Sequence, residues 1–281
     1  MNKTISIVAL LLLSTTLSFG HHLKDEMKDI MDNATEINIT MFDTDESGSL
    51  MLDHNGMLWI GSGNGLVSYD GYNFKTYKSD AYTPGILPNN NVMATTEDHD
   101  GNIWIGTRDG LVKMNRKYQS FKTYRLPKQS QRIIYCLYTT SDGTVWIGTD
   151  GGLTVYNKTN DTFFTYNFGR PCSVKSIVED KKGYIYVGTW STGLIRLHPN
   201  RKDFDRYPPL NQYNSAYSLF LDSRERLWIG TWEYGIVMIE NPNDTKNPII
   251  HHYNDTGSTF KFVNNIIEDP ITNTIWASSR N

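Results

Sequence analysis

The sequence predicts an all-β protein, and three observations carry that prediction. Glycine (22 residues), tyrosine (17) and tryptophan (7) are numerous among the 281 residues, a composition that suits turns and strands better than helices. Hydrophobic residues make up 38% of the chain, which is enough to bury a core and excludes wholesale disorder. In addition, one short pattern recurs along nearly the whole chain, which indicates a repeat architecture.

The recurring pattern is an apolar triplet with a central aromatic residue, followed in five copies by Gly and then Ser or Thr. Its fullest form reads Asp98-His99-Asp100-Gly101-Asn102-Ile103-Trp104-Ile105-Gly106-Thr107. A repeat of 40 to 48 residues with strand-like content is typical of propeller blades. The aromatic residues of the six copies are Trp59, Trp104, Trp146, Tyr186, Trp228 and Trp276.

Each copy predicts four short strands. In the second copy these are an apolar run before the Asp (from Val92), the aromatic triplet, a run after a second glycine (Gly110), and a strand that carries Phe121 and Tyr124. The prediction is therefore a β-propeller of four-stranded blades. Because blades stack on one another, the central strands should be covered on both faces. The Asp and Gly of the first turn and the paired glycines are assigned to the scaffold.

The first 20 residues are predicted to be a signal peptide. Lys3 gives a positive start, the run from Ile5 to Phe19 is apolar, and small residues lie at −3 and −1 of a cleavage site before His21. The alternative is an uncleaved anchor, but about 16 apolar residues are fewer than the roughly 20 that span a bilayer.

Beyond the signal peptide, residues 21–47 form an N-terminal segment and residues 48–281 form the repeats. Within the segment, residues 36–42 are a candidate for a strand that closes the ring. The sixth copy has only two predicted strands before Asn281. We therefore expect about six blades of a seven-bladed ring, the last blade incomplete, in a truncated sequence; a natural six-bladed closure is the alternative.

The repeat resembles the two-component regulator propeller repeat over about residues 48 to 281. The resemblance implies the exported, periplasmic sensor region of a Bacteroidetes hybrid two-component system. It also implies a carbohydrate or oligosaccharide ligand, a second propeller and a homodimer partner in the full-length protein. A membrane helix and a C-terminal histidine kinase would lie outside this sequence.

Candidate ligand-binding residues lie mainly in the loops between the second and third strands. Trp190 and Trp232 each follow a Gly-Thr directly, and aromatic faces beside polar groups suit sugar rings. The alternative is that both pack on the loop of the next blade. Further hydrogen-bonding candidates, which could equally be solvated surface, are Arg108, Asp109, Arg132, Glu233 and Tyr234.

Other chemistries find little support in the sequence. The net charge of −3 gives no electrostatic footprint for nucleic acid. No nucleophile motif or phosphate-binding loop occurs, and the seven histidines are scattered. Residues 43–48 imitate a calcium loop, but His54 stands where a bidentate Glu is required. No catalytic residue, cofactor or metal site is therefore predicted.

Three functions compete at this point. The leading one is a ligand-sensing propeller that passes a signal to a kinase outside this chain. The second is a secreted interaction scaffold that binds a protein or a glycan. The least favoured is a propeller lactonase or lyase, which would need clustered carboxylates, histidines or metal ligands. Cys136 and Cys172 occupy different positions of the repeat, so free thiols are expected, with a disulfide as the alternative.

Overall fold

The computed structural model describes residues 48–79, 86–117, 119–207, 210, 215–253 and 262–280. The predicted signal peptide and the candidate ring-closing strand at 36–42 lie outside these residues. The described chain forms five four-stranded antiparallel sheets and one two-stranded sheet, each with its strands hydrogen-bonded in chain order. The all-β prediction and the four-strand repeat are therefore confirmed.

The sheets correspond to the predicted blades. Blade one contains β1 (Leu50–Leu52), β2 (Leu58–Ser62), β3 (Gly65–Tyr69) and β4 (Phe74–Tyr77). Blade two contains β5 (Val92–Glu97), β6 (Ile103–Thr107), β7 (Gly110–Asn115) and β8 (Ser120–Tyr124). Blade three contains β9 (Ile134–Thr139), β10 (Val145–Thr149), β11 (Gly152–Asn157) and β12 (Thr162–Thr165).

The remaining blades continue the same order. Blade four contains β13 (Val174–Glu179), β14 (Ile185–Thr189), β15 (Leu194–Leu197) and β16 (Phe204–Arg206). Blade five contains β17 (Ser218–Leu221), β18 (Leu227–Gly230), β19 (Ile236–Ile239) and β20 (Ile250–Tyr253). Blade six contains β21 (Phe262–Glu268) and β22 (Ile275–Arg280).

The first strand of each blade is the innermost one. Each of these strands contacts the first strand of the next blade, from β1 through β5, β9, β13 and β17 to β21. The second strands follow, and every described residue of β2, β6, β10, β14 and β18 is buried. The prediction that stacked blades cover the central strands is confirmed for these second strands, whereas the third strands β7 and β11 each have partly exposed residues.

The Asp of the repeat connects the first turn to the core. In blade two, Asp98 Oδ1 accepts hydrogen bonds from the backbone N–H groups of Asp100 (3.0 Å) and Asn102 (2.9 Å). Its Oδ2 accepts the indole N–H of Trp104 at 2.8 Å. The same bond joins Asp53 to Trp59 and Asp222 to Trp228. One carboxylate therefore closes the turn and satisfies a buried indole donor.

Blade three departs from this scheme and corrects the sequence alignment. The sequence pattern aligned Asp142 with the repeat aspartate, but the residue that contacts the indole of Trp146 is Thr140 (3.2 Å). Asp142 contacts Thr140 and not the indole. Its Oδ1 accepts hydrogen bonds from the Thr140 hydroxyl at 2.6 Å and from the Thr144 backbone N–H at 3.0 Å. The anchoring position is thus six residues before the aromatic residue.

Asp98→Asn is expected to lower the free energy of unfolding by about 1–3 kcal/mol, because an amide N–H₂ would face a buried donor. Urea unfolding measures the loss. The matched control is Asp100→Asn, which removes only a surface ion pair with Lys158 (2.5 Å) and should cost about 1 kcal/mol or less. Equal losses for the two variants would contradict the role given to Asp98.

In blades one to five a glycine follows the aromatic triplet, and the neighbouring blade leaves no room for a side chain there. A Cβ added to Gly106 would lie 2.5 Å from the Ile134 side chain, and one added to Gly148 would lie 2.8 Å from Val174. At Gly188 the nearest atom is a backbone oxygen of the next blade, Ala216 O at 2.5 Å. The prediction that such glycines let backbones come close is confirmed at Gly188, whereas at Gly106 the nearest atoms belong to a side chain.

Carboxylates also join neighbouring blades on the side of the first turns. Glu97 of blade two accepts the backbone N–H of His54 in blade one at 2.9 Å. Glu179 of blade four accepts that of Ser141 at 2.6 Å, and Glu268 of blade six accepts that of Ser223 at 2.8 Å. The turns carrying the repeat aspartates are thereby fixed to the blade that follows.

Candidate functional site

One face of the propeller gathers the segments that vary most between blades. The innermost strands begin where the second strands end: Val92 pairs with Thr107, and Val174 pairs with Thr189. The loops after the second strands and the connections between blades therefore share this side with the first residues of the innermost strands. We call it the axial face.

The loops of the axial face are closed in a constant way. In blade two the Thr107 hydroxyl donates to Gly110 O at 2.9 Å, and in blade four the Thr189 hydroxyl donates to Gly193 O at 2.8 Å. These glycines have φ of 134° and 73°, in the region that favours glycine. The loops of blades four and five are one residue longer than those of blades one to three, and each begins with a tryptophan.

These two tryptophans meet. The ring centroids of Trp190 and Trp232 are 4.3 Å apart at an interplanar angle of 72°. Tyr217, which precedes β17, lies 6.0 Å from each. Phe262, at the start of β21, contacts Trp232 edge-on with centroids 3.5 Å apart. Four aromatic residues thus form a group that extends from blade four to blade six. We call this group the aromatic cluster: Trp190, Tyr217, Trp232 and Phe262.

The two tryptophans have different surroundings. Trp232 is half-buried and packs against Phe262 of the next blade, which is the contact that the packing alternative anticipated. Trp190 is 37% exposed and rests on Trp232 and Tyr217. Glu233 and Tyr234 are exposed in the loop beside Trp232, and Tyr234 shows 45% of its surface to solvent. Trp190 therefore offers the larger free aromatic face.

The remaining predicted residues lie in blades two and three. Asp109 is held by Arg125 (3.3 Å) and lies 4.0 Å from Arg132. The backbone carbonyl of Arg132 accepts the N–H of Gly110 at 2.9 Å, so Arg132 sits beside the loop that carries Arg108 and Asp109. Arg108 is exposed. The predicted residues thus form one acidic–basic group and one aromatic group.

The residues that connect the two groups were not predicted. In the innermost strands of blades two, three, four and six, a β-bulge inserts one unpaired residue directly after the first buried residue. Bulges re-aim side chains and are frequent beside functional sites. Tyr217 occupies the equivalent place in blade five, one residue before the Ser218–Gly230 pair. The bulge residues are Met93, Tyr135, Lys175 and Asn264.

Tyr135 and Lys175 interact directly. The Lys175 ammonium lies 3.0 Å from the centroid of the Tyr135 ring. Burial lowers the pKa of Lys175 to about 8, against the opposing field of Asp150. Burial and then the Asp150 charge raise the pKa of Tyr135, the neighbouring Tyr217 phenol adds to the rise, and Arg108 opposes it. Tyr135 therefore lies within electrostatic reach of Asp150, Tyr217 and Arg108, and Lys175 within reach of Asp150.

A signal for the bulge residues was present in the sequence. Tyr135, Lys175 and Tyr217 each lie between a buried apolar residue and a small residue at the start of a predicted innermost strand. A large polar or aromatic side chain is unexpected between two such neighbours. Comparing the second residue of the predicted innermost strand across all copies of the repeat would have identified these three residues.

Other chemistry is not concentrated at this face. Within the described ranges, no group of three or more His, Cys, Asp or Glu side chains could hold a metal ion. The five described histidines lie in the first turns or towards the outer strands, at positions 54, 99, 198, 251 and 252. Cys136 and Cys172 are free thiols. None of the described helices is long and apolar enough to cross a membrane.

Comparison with known families decides what kind of propeller this is. The family model described as "Two component regulator propeller" matches residues 86–109, 128–151, 169–191 and 211–233. Each match ends at or just beyond the end of a second strand, at the axial face. Residues 86–233 are built from two-component regulator propeller repeats. The resemblance inferred from the sequence is thereby confirmed over those residues, and no curated protein matches this propeller.

Solved structures share the propeller fold. The extracellular domain of a B. thetaiotaomicron protein assigned as a hybrid two component system has a TM-score of 0.68 and 21% identity, covering 87% of this chain and 34% of that one. Virginiamycin B lyase from Staphylococcus aureus has a TM-score of 0.65 and 16% identity, covering 85% of this chain and 79% of that one. PorZ from Porphyromonas gingivalis has a TM-score of 0.62 and 11% identity, covering 81% of this chain and 36% of that one. The propeller described here spans about a third of the first of these domains.

Proposed function

We propose that this propeller is the ligand-binding part of an exported two-component sensor, and that its ligand is a carbohydrate bound at the axial face. The repeat family and the similarity to an extracellular two-component domain support the sensor role. The aromatic cluster is the observation that carries the choice of ligand. In this proposal the signal passes to a kinase outside this chain. The second propeller and the homodimer partner that the resemblance implies would also lie outside it.

The cluster suits a sugar ring for a physical reason. The C–H face of a pyranose is apolar and stacks on an aromatic face, while its hydroxyls need hydrogen-bond partners at the edge. Trp190 supplies the exposed face. Thr192, two residues further in the same loop, has a buried hydroxyl oxygen with no partner among the described residues. That oxygen is shielded from solvent, so a ligand hydroxyl would bond to it only if the loop opened on binding.

Two alternative functions are a protein-binding scaffold and a lyase, and no specific feature of the described residues favours either one. A protein-binding scaffold would use the same face, and competition by a soluble oligosaccharide separates it from a sugar sensor. A lyase is suggested by the fold of virginiamycin B lyase alone. Fold similarity does not carry chemistry, and the described histidines lie away from the axial face.

The proposal is tested with Trp190→Ala and a panel of oligosaccharides. At least one oligosaccharide should raise the Tm of the wild-type protein, because a ligand that binds only the folded state stabilises it. Trp190→Ala should weaken binding of that oligosaccharide about tenfold, the effect of losing an aromatic stacking surface. Isothermal titration calorimetry measures the change.

The matched control is Trp276→Ala. Trp276 is also exposed (57%) but follows the first turn of blade six, on the opposite side of the ring. That variant should bind with wild-type affinity. Failure of every oligosaccharide to shift the Tm, or equal weakening by both substitutions, would remove the carbohydrate proposal.

A further inference from the structure

Lys175 is costly for the fold, because no carboxylate among the described residues forms an ion pair with it. Its ammonium is half-buried, and burial lowers its pKa to about 8, against an ordinary value of 10.5. Within the described residues, no carboxylate lies within ion-pairing distance of Nζ; Asp150 acts only through its longer-range field. A partly desolvated cation without a close counter-ion is unfavourable in a folded protein.

The residues packed around Lys175 determine which side of its ammonium group a ligand can approach. The Tyr135 ring covers one side of the ammonium at 3.0 Å, so the cation–π contact orients Lys175 without neutralising it. Lys175 is the bulge residue of β13, and the backbone N–H of Trp190 donates to the carbonyl of Ser173, two residues before it, at 2.9 Å. The cation and the exposed indole are therefore held by the same short stretch of backbone.

We propose that Lys175 binds an anionic group of the ligand, so that the carbohydrate recognised at the axial face is an acidic one. This inference rests on the proposed function and names its substrate class. The anion would sit on the side of the ammonium that Tyr135 leaves uncovered, while a sugar ring stacks on Trp190. Arg108, which acts electrostatically on Tyr135, adds positive charge to the same region.

Two kinds of saccharide carry such a group: uronic acids carry a carboxylate and sulfated sugars carry a sulfate ester. Both accept charge-assisted hydrogen bonds from an ammonium. Lysine presents a compact charge with rotatable donors and does not enforce the planar, two-point geometry that arginine does. The structure therefore specifies an anionic oxygen group, and separate probes must distinguish its source.

The experiment uses trigalacturonic acid, its methyl ester and a sulfated carrageenan tetrasaccharide as probes, with calorimetry as the readout. The wild-type protein should bind one acidic probe about tenfold or more tightly than the neutral methyl ester, the size expected for a charge-assisted hydrogen bond. Lys175→Met should remove that preference. Methionine is a conservative choice because it occupies the equivalent bulge of blade two, as Met93.

The matched control is Lys181→Met in the first turn of blade four, where Lys181 forms a surface ion pair with Glu225 at 3.1 Å. It should leave all three affinities unchanged. Lys175→Met should also raise the Tm of the ligand-free protein, because it removes a partly desolvated charge. A loss of binding together with a gain in stability distinguishes a ligand contact from a structural role.

The pH dependence gives a second readout. Preference for the acidic probe should fall as the pH rises from 7 past about 8, where Lys175 loses its proton. The titratable groups facing it are Tyr135 and Cys136 on β9 and Asp150 after β10. Burial raises the pKa of Tyr135 above its usual range and that of Cys136 to about 12, so both stay neutral in this window.

The outcomes separate the two proposals. Equal affinity for acidic and neutral probes, with Trp190→Ala still disruptive and Lys175→Met silent, would overturn the acidic ligand and leave the carbohydrate function standing. Binding of none of the three probes would overturn the acidic ligand, and the wider oligosaccharide panel then decides the carbohydrate function. A preference lost equally in Lys181→Met would show a general charge effect and would also overturn the role of Lys175.

Discussion

Trp104→Ala is expected to lower the free energy of unfolding by about 3–5 kcal/mol, the usual cost of emptying a large core position. Trp104 is completely buried, and its indole N–H is bonded to Asp98 at 2.8 Å. Its ring packs on Tyr124 of its own blade (centroids 5.8 Å apart) and on Tyr156 of blade three (4.7 Å). The substitution therefore loosens blade two and its junction with blade three together.

The control for this variant is Tyr72→Ala, measured in the same urea titration. Tyr72 lies in the turn between β3 and β4 and is 91% exposed, so its truncation should cost about 0.5 kcal/mol or less. A loss at Trp104 no larger than the loss at Tyr72 would contradict the core assignment.

Gly188→Ala is expected to cost about 3 kcal/mol, at the upper end of the range for overpacking. The added methyl group would lie 2.5 Å from the backbone oxygen of Ala216 and 3.2 Å from the Leu219 side chain, both in blade five. The neighbouring Ala216 N–H donates to Thr189 O at 2.9 Å, so a backbone shift would also strain the bond that joins the two blades. No side-chain rotation relieves a clash with a carbonyl oxygen.

Gly56→Ala is the control that separates the effect of a steric clash, as at Gly188, from the effect of backbone strain. Gly56 has φ of 76°, and a Cβ there would have open space around it. Its replacement should cost only about 1–2 kcal/mol, the price of the left-handed conformation. A thermal unfolding series that ranks Gly56→Ala as the more harmful of the two would refute the inter-blade explanation.

The sequence predicted the blade because blade chemistry is local. The Asp98–Gly101 turn, the apolar triplet around Trp104 and the second glycine at 110 are each explained within about a dozen neighbouring residues, and they recur. Trp104 also stacks on Tyr124, the second aromatic residue of the fourth strand. The strand register instead aligns Trp104 with Lys113 and Lys122, so this contact reaches two residues along the sheet. Repetition makes such local signals unambiguous.

The candidate site was predicted only in part, and the reason is physical. Trp190 and Trp232 stand out because they break a loop pattern that the other copies share. Tyr135 and Lys175 lie inside strands, and Tyr217 lies directly before one, where an ordinary alternation of faces would direct them elsewhere. A bulge shifts that alternation by one residue, and its position is set by pairing with the adjacent strand, which the sequence of one strand does not reveal.

The replacement of the anchoring Asp by Thr140 was missed for a related reason. Asp142 lies close to the expected place and takes part in the same turn, so the pattern accepted it. Only the bond from the Trp146 indole to the Thr140 hydroxyl shows which position is equivalent.

The central claim is that the axial face binds the ligand, and amide hydrogen exchange tests it most directly. Exchange would be compared with and without the oligosaccharide that raises the Tm most. The account predicts slower exchange in the loops that follow β14 and β18 and at the bulges of β9 and β13, with the first turns of all blades unchanged. Protection confined to the first turns, around Asp53 and Asp98, would contradict it.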